Sequence, residues 1–155
     1  MNGNLLVNGG DVCPGNSAGT LEIGGDLDFF SGTIRLEITG NAAGQHDLLE
    51  VDGYASFQAG QIEVVFIDGY LPQPGEHWTL LSFPYEVFGL SNLTLQVTGL
   101  PDRYTFTWNA NGEFGVGLAP VPEPSHAALL LVGLAALWER IAIATSAGRR
   151  VSAVS

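Results

Sequence analysis

An internal repeat constrains the fold of this chain more than any other feature of its sequence. Residues 21–34, LEIGGDLDFFSGTI, align without a gap on residues 49–62, LEVDGYASFQAGQI, at an offset of 28 positions. The identical pairs are Leu21/Leu49, Glu22/Glu50, Gly25/Gly53, Phe29/Phe57, Gly32/Gly60 and Ile34/Ile62. Repeats of about 20 to 50 residues are typical of proteins in which each unit buries its apolar face against the next. The sequence therefore predicts a stack of repeats.

Apolar residues alternate within each repeat and predict short strands. In the first repeat they fall at 21 and 23, at 27 and 29, and at 34, 36 and 38, with glycines between the groups. This pattern predicts three strands per repeat. Further strands are predicted over residues 93–98, 104–108 and 114–118, with turns at 99–102 and 109–112.

These patterns predict an all-β body over residues 1–118. We expect a short parallel β-solenoid or β-helix-like stack, and an antiparallel β-sandwich is the alternative. Two repeats alone would be marginally stable, so we expect the flanking strands to cap them. A solenoid would require Ile34 and Ile62 to point into one shared core.

The charge of the chain excludes one class of partner. Residues 1–124 carry 15 acidic and 2 basic side chains, and the chain has no lysine. Nucleic-acid phosphates demand a basic face, so we expect no nucleic-acid binding.

The end of the chain carries a different kind of sequence. Val121, Pro122, Glu123, Pro124 and Ser125 form a strip that its two prolines hold extended, and Ser125 is placed to cap a helix after it. Residues 119–124 are a spacer. The following residues, 127–138, are all apolar, and they include Ala127, Leu129, Leu130, Leu131, Leu134, Leu137 and Trp138.

This apolar run predicts one C-terminal hydrophobic helix associated with a membrane. A bilayer span needs about 20 apolar residues, and residues 127–138 provide fewer. Extension to residue 147 would place Glu139 and Arg140 near the bilayer centre, at a cost of about 3 kcal/mol each. We favour the short span, with Arg140 reaching the cytoplasmic interface. A helix buried in a globular core is the alternative.

The order of Pro-Glu-Pro, apolar helix and arginine resembles the C-terminal sorting signal of PEP-CTERM proteins, here over residues 121–150. The same motif is also labelled the C-terminal domain of ice-binding proteins. The resemblance implies a secreted or cell-surface protein of a Gram-negative bacterium, and an exosortase at the inner membrane that recognises Pro122, Glu123 and Pro124. Family tails usually end in a tight arginine cluster, whereas here Arg149 and Arg150 lie well beyond Arg140. Such a tail requires export, so we expect a signal peptide and further repeats upstream.

A second resemblance lies in the body, through residues 14–21, 45–51 and 75–81. These look like the glycine-rich β-helical repeats of autotransporter passenger domains, over residues 12 to about 83. That pattern carries no catalytic residue, and it makes His46 a packing substitute for the tyrosine that commonly precedes Asp47.

Few residues suggest chemistry. His46, His77 and His126 lack metal-ligand spacing, and the single cysteine, Cys13, is expected to be buried or incidental rather than reactive. The carboxylate pairs Asp26/Asp28 and Glu50/Asp52 could act as acid and base or hold calcium, but a solvated acidic face is the simpler interpretation. We predict no metal or cofactor.

The sequence leaves two alternative functions for this protein. The first is a non-enzymatic envelope or matrix protein, and an exosortase-type enzyme and the membrane are its expected partners. The second is a polysaccharide-binding or polysaccharide-active module, for which exopolysaccharide is the candidate partner. In this second case Trp78, Tyr104 and Trp108 are either sugar platforms or core residues.

Overall fold

The computed structural model describes residues 1–15, 18–120, 132–138 and 140 of the chain. The chain divides into two units, Met1–Ala119 and Pro120–Ser155. The first unit is mainly β, as the sequence predicts, and we call it the body. In the second unit, residues 132–138 are helical.

Twelve strands lie in the described part of the body. In chain order they are β1 (Leu5–Val12), β2 (Thr20–Ile23), β3 (Leu27–Ile38), β4 (Leu48–Val51), β5 (Ala55–Phe57), β6 (Gly60–Phe66), β7 (His77–Thr79), β8 (Leu81–Ser82), β9 (Val87–Phe88), β10 (Leu93–Thr98), β11 (Tyr104–Trp108) and β12 (Glu113–Leu118). A short 3-10 turn, Leu90–Asn92, precedes β10.

Parallel pairing places nine of these strands in layers. β3 pairs with β1 on one edge and with β5 and β6 on the other, and these two pair in turn with β9 and β10. A second parallel sheet has the order β2-β4-β8. We number four layers: β1 is the first, β2 and β3 the second, β4 to β6 the third, and β8 to β10 the fourth.

The predicted offset of 28 residues is the register of the second and third layers. Leu21 pairs with Leu49, Phe29 with Phe57 and Ile34 with Ile62. Phe29 and Ile34 are fully buried, and Phe57 and Ile62 are each 2% exposed. The expectation that the two repeats are neighbours and that Ile34 and Ile62 share one core is confirmed.

The prediction of three strands per repeat is correct for the second repeat and wrong for the first. β4, β5 and β6 are separate, whereas residues 27–38 form the single strand β3. β1 lies along the free edge of β3 and pairs Asn8 with Ser31, at the level where β5 and β6 are interrupted.

The fourth layer continues the stack beyond the repeat that the sequence reveals. Leu81 pairs with Leu49, Val87 with Ala55 and Leu95 with Ile62. The first two pairs are 32 residues apart (81 − 49 and 87 − 55), and the third is 33 apart (95 − 62). Because these offsets differ from 28, a gap-free alignment does not detect the layer.

Three strands pair differently from the rest. β11, β12 and β7 form an antiparallel sheet in which Phe114 lies opposite both Trp108 and Trp78. The backbone N–H groups of Leu80 and Leu81 donate to the carbonyl of Gly112, which joins the turn of this sheet to the fourth layer. Parallel layers and a small antiparallel sheet therefore coexist in the body, and its sheets do not form one regular stack.

Candidate functional site

The residues that the sequence marks as a sorting motif lie outside the described part of the chain. These are Val121, Pro122, Glu123, Pro124 and Ser125, and the same holds for Ala127, Leu129, Leu130, Leu131, Arg149 and Arg150. Leu134, Leu137 and Trp138 lie in the helix over residues 132–138, and all three side chains are exposed. Arg140 is helical and exposed. Among the described residues, no helix has the length and apolarity that a membrane crossing requires.

The carboxylates of Asp26 and Asp28 connect successive layers. Asp26 Oδ1 accepts a hydrogen bond from the backbone N–H of Tyr54 at 2.9 Å, and the N–H of Asp26 donates to Asn4 Oδ1 at 3.0 Å. Asp28 accepts from the Ser56 hydroxyl at 2.7 Å. Both carboxylates bond to groups in the third layer, so they are part of the framework of the body.

Glu50 and Asp52, the second carboxylate pair, lie in strand β4 and directly after it. Glu50 lies between Glu22 and Ser82 on three adjacent parallel strands, with its side chain half-buried. The backbone N–H of Asp52 donates to the carbonyl of Ile23, and its side chain is exposed. Among the described residues, no group of three or more His, Cys, Asp or Glu side chains could hold a metal ion.

The neighbouring residues His46 and Asp47 differ in their surroundings. Asp47 is 1% exposed, and its carboxylate accepts from the N–H groups of Gly19 at 2.6 Å and of Glu37 at 2.9 Å. His46 is half-buried, and its Nδ1 has no hydrogen-bond partner in the described part of the chain. Burial is the main reason why the pKa of His46 lies below its usual value. The role of Asp47 is absent from the sequence-based analysis, because no spacing rule identifies a carboxylate that bonds to distant amides.

A tyrosine–glutamate contact orders the segment before β7. The Tyr70 hydroxyl donates to Glu76 Oε2 at 2.6 Å, and the Gln73 N–H donates to the same oxygen at 3.0 Å. Partial burial raises the pKa of Glu76, but hydrogen bonds from Tyr70, Gln73 and Asn41 outweigh it and hold the pKa below its usual value. Partial burial and the bond to Glu76 raise the pKa of Tyr70. Both groups therefore stay in the protonation states that make this bond at neutral pH.

Two of the three aromatic residues that the sequence offers as sugar platforms are core residues. Trp78 is 1% exposed, and its Nε1 donates to the carbonyl of Gly40 at 3.0 Å. Tyr104 is buried, and its hydroxyl donates to the carbonyl of Pro72 at 3.1 Å. Trp108 is half-buried against Phe114, with ring centroids 6.3 Å apart. Trp78 and Tyr104 are thus unable to present their rings to a ligand.

A different pair of aromatic rings is exposed. Tyr54 and Tyr85 occupy the turns that precede β5 and β9, in the third and fourth layers, and each is 57% exposed. Their ring centroids are 5.4 Å apart, with planes inclined at 33°. Layer stacking brings the two rings together, and no strand pattern in the sequence includes either tyrosine.

A surface cavity of about 380 Å³ lies beside Tyr85. Its lining combines apolar and polar side chains from the fourth layer and from the turn between β11 and β12, namely Phe83, Tyr85, Glu86, Val87, Ala110 and Asn111. This volume falls within the range of about 300 to 1,000 Å³ that is usual for small-molecule sites. A second cavity of about 330 Å³ is lined mainly by the apolar residues Leu90, Leu93, Leu95 and Trp108.

The sequence predicts a buried or incidental thiol at Cys13, and the exposed position of this residue rules out the buried alternative. Cys13 follows the last residue of β1, where the surrounding chain covers it only in part. Partial burial and the nearby Asp11 carboxylate raise the pKa of the thiol. A raised pKa lowers the fraction of the thiol that is present as thiolate, the reactive form, at neutral pH.

Comparison with protein-family models, with curated proteins and with solved structures gave no match to this chain.

Proposed function

We propose that this chain is a non-enzymatic secreted or cell-surface protein of the extracellular matrix, in which a short β-solenoid-like body is delivered by a C-terminal sorting signal of the PEP-CTERM type. An exosortase-type enzyme at the inner membrane reads Pro122, Glu123 and Pro124. The protein passes through the cell envelope and ends at the cell surface or outside the cell. The membrane is a partner during transit.

The register between the two repeats is the observation that carries the structural part of this proposal. Leu21, Phe29 and Ile34 each pair with the residue 28 positions further on, and the side chains of this core fill the space between the sheets. A body built in this way has a buried apolar core that is shared by its layers. This property suits a spacer or matrix component.

The carboxylates support a structural role in preference to a catalytic one. A general acid or base must lie within hydrogen-bond reach of a substrate proton. Asp26 instead accepts from the Tyr54 amide, and Asp28 accepts from the Ser56 hydroxyl, both within the framework of the layers. We therefore expect the full chain to turn over no polysaccharide. Hydrolysis or elimination of a polysaccharide, abolished by Asp26→Asn or Glu50→Gln, would contradict this part of the proposal.

The sequence of the tail supports the sorting part. The sequence predicts an extended Pro-Glu-Pro strip, which would suit a protease, and a helix over residues 127–138 would be about 18 Å long, less than the roughly 30 Å hydrocarbon core. Such a segment suits a transient anchor that is removed after recognition.

A reporter experiment tests the sorting signal. Residues 115–155 are fused to a reporter with a signal peptide and expressed in a host that has the matching exosortase. We expect the fusion to be processed and released, and Glu123→Ala to remain in the membrane fraction at its unprocessed length. Glu139→Ala is the matched control, because it removes the other glutamate of the fused segment and should be released normally. Equal release of the Glu123→Ala and unaltered fusions would show that the motif is not read, and equal retention would indicate a plain anchor.

A further inference from the structure

The exposed rings of Tyr54 and Tyr85 form an unusual surface on this protein. The two rings are in contact, yet more than half of each side chain remains accessible. Tyrosine combines a flat apolar ring with a polar hydroxyl, and exposed tyrosines are enriched at recognition surfaces for this reason. Neither ring contributes to the buried core. The cavity that adjoins Tyr85 gives this exposed pair a possible ligand site.

The cavity beside Tyr85 has a lining that matches the chemistry of a sugar ring. Tyr85, Phe83 and Val87 provide apolar surface, whereas Glu86 and Asn111 provide a carboxylate and an amide. A pyranose ring has C–H groups on its faces and hydroxyl groups around its edge. Its faces can therefore stack on an aromatic ring while its hydroxyls bond to the polar residues at the side.

The charge around this cavity restricts the kind of sugar. Glu86 lines it, and the whole chain has a formal net charge of −11. Like charges between a protein and its ligand oppose association and reduce its rate. Uronic acids and sulfated sugars are therefore poor ligands for this surface.

We infer that the cavity binds a neutral polysaccharide, with one sugar ring stacked on Tyr85 and its hydroxyls bonded to Glu86 and Asn111. Tyr54 supports the Tyr85 ring from the third layer, and the polysaccharide chain extends across the accessible surface of both rings. The inference deepens the proposed matrix function but uses only the body, so it holds whether or not the tail is read by an exosortase.

Affinity electrophoresis of the full chain in a non-ionic detergent tests this site. Native gels contain hydroxyethylcellulose, dextran or galactomannan as neutral probes, and polygalacturonate as the anionic probe. We expect at least one neutral polysaccharide to retard the protein and polygalacturonate to leave its mobility unchanged. Tyr85→Ala should raise the Kd for the neutral probe about tenfold, because truncation removes the stacking ring. Tyr85→Phe keeps the ring and should stay within about threefold of the original Kd.

Two further variants make the result decisive. Leu71→Ala removes an exposed side chain that does not line the cavity, and it should leave the Kd unchanged. Asn111→Ala changes the lining from a separate turn, so it tests the site even if Tyr85→Ala disturbs the fourth layer. Lack of retardation by every neutral probe, unchanged affinity in Asn111→Ala, or equally strong binding of polygalacturonate would each overturn the inference. The release of the tail reporter has no bearing on any of these outcomes.

Discussion

The carboxylate of Asp47 accepts a hydrogen bond from the backbone N–H of Gly19, which lies 28 residues earlier and one layer below, at 2.6 Å. The other oxygen accepts from the N–H of Glu37 at 2.9 Å. Asp47 is 1% exposed, and both of these hydrogen bonds are partly buried. One buried side chain thus satisfies backbone groups at both ends of the first repeat.

Removal of this carboxylate should destabilise the body strongly. In Asp47→Ala two partly buried amide N–H groups lose their acceptor, and an unsatisfied donor costs up to about 1 to 3 kcal/mol. We expect the free energy of unfolding in urea to fall by about 2 to 5 kcal/mol. Asp52→Ala removes an exposed carboxylate nearby and should change the free energy of unfolding by less than about 0.5 kcal/mol. Similar losses in the two variants would show that the Asp47 bonds contribute little.

The stacked phenylalanines lead to a second prediction. The Phe57 ring lies 5.9 Å from the Phe29 ring and 6.1 Å from the Phe83 ring, measured between centroids. Phe57→Ala would leave a cavity in this core and should lower the free energy of unfolding by about 3 to 5 kcal/mol. Phe88→Ala is the control, because Phe88 is 52% exposed on the adjoining strand β9. Chemical denaturation that gave equal losses for Phe57→Ala and Phe88→Ala would contradict the stacked arrangement.

Two glycines with positive φ differ in the space that an added Cβ would find. At Gly60, where φ is 130°, an added Cβ would lie 2.6 Å from the carbonyl oxygen of Gly32 and 2.7 Å from the Phe29 ring. At Gly44, where φ is 78°, no heavy atom lies within 4 Å of the same position. Gly44→Ala should therefore cost about 1 kcal/mol from backbone strain alone, and Gly60→Ala about 3 kcal/mol or more from backbone strain and steric clash together. Equal melting temperatures for the Gly44→Ala and Gly60→Ala variants would indicate that the layers move apart easily at Gly60.

The stability of the body should depend on pH through His46. Burial lowers the pKa of His46 in the folded state, whereas in the unfolded chain it returns to about 6.5. As the pH falls below about 6.5, the unfolded state binds a proton before the folded state does, so the stability present above this pH is progressively lost. We expect the melting temperature to fall less between about pH 7.5 and pH 5.5 in His46→Gln than in the unaltered protein. His77→Gln changes an exposed histidine and should follow the unaltered protein, and identical profiles for all three would exclude His46 as the titrating group.

The sequence predicts the strands over residues 93–98, 104–108 and 114–118 almost residue for residue, but it predicts the pairing of the layers only at the centre of the fold. The gap-free repeat identifies Phe29 and Phe57, and Ile34 and Ile62, as stacked core residues, because parallel pairing preserves a fixed offset. The fourth layer is missed because the offset rises to 32 and then 33, after residues 67–80 depart from the repeat pattern. The first layer is missed because β1 contains a register shift between Asn8 and Asp11, which removes its resemblance to β3.

The candidate site is less predictable than the fold. Aromatic content alone makes Trp78 and Tyr104 as suitable for ligand binding as Tyr54 and Tyr85. Only the three-dimensional arrangement shows that Trp78 bonds to Gly40 in the core, while Tyr54 and Tyr85 meet on the surface. A contact between turns of two layers depends on the register of the whole stack, which no local pattern contains.

The register between the second and third layers is constant, so a unit of 28 residues corresponds to one layer of the body. An additional copy of a 28-residue unit, inserted after residue 47, would present the same pairing edge to the strands on either side of it. Each copy would lengthen the body by one strand spacing, about 4.8 Å, and would leave both ends unchanged. Duplication of this segment is therefore a route by which the distance between the two ends can change in equal steps.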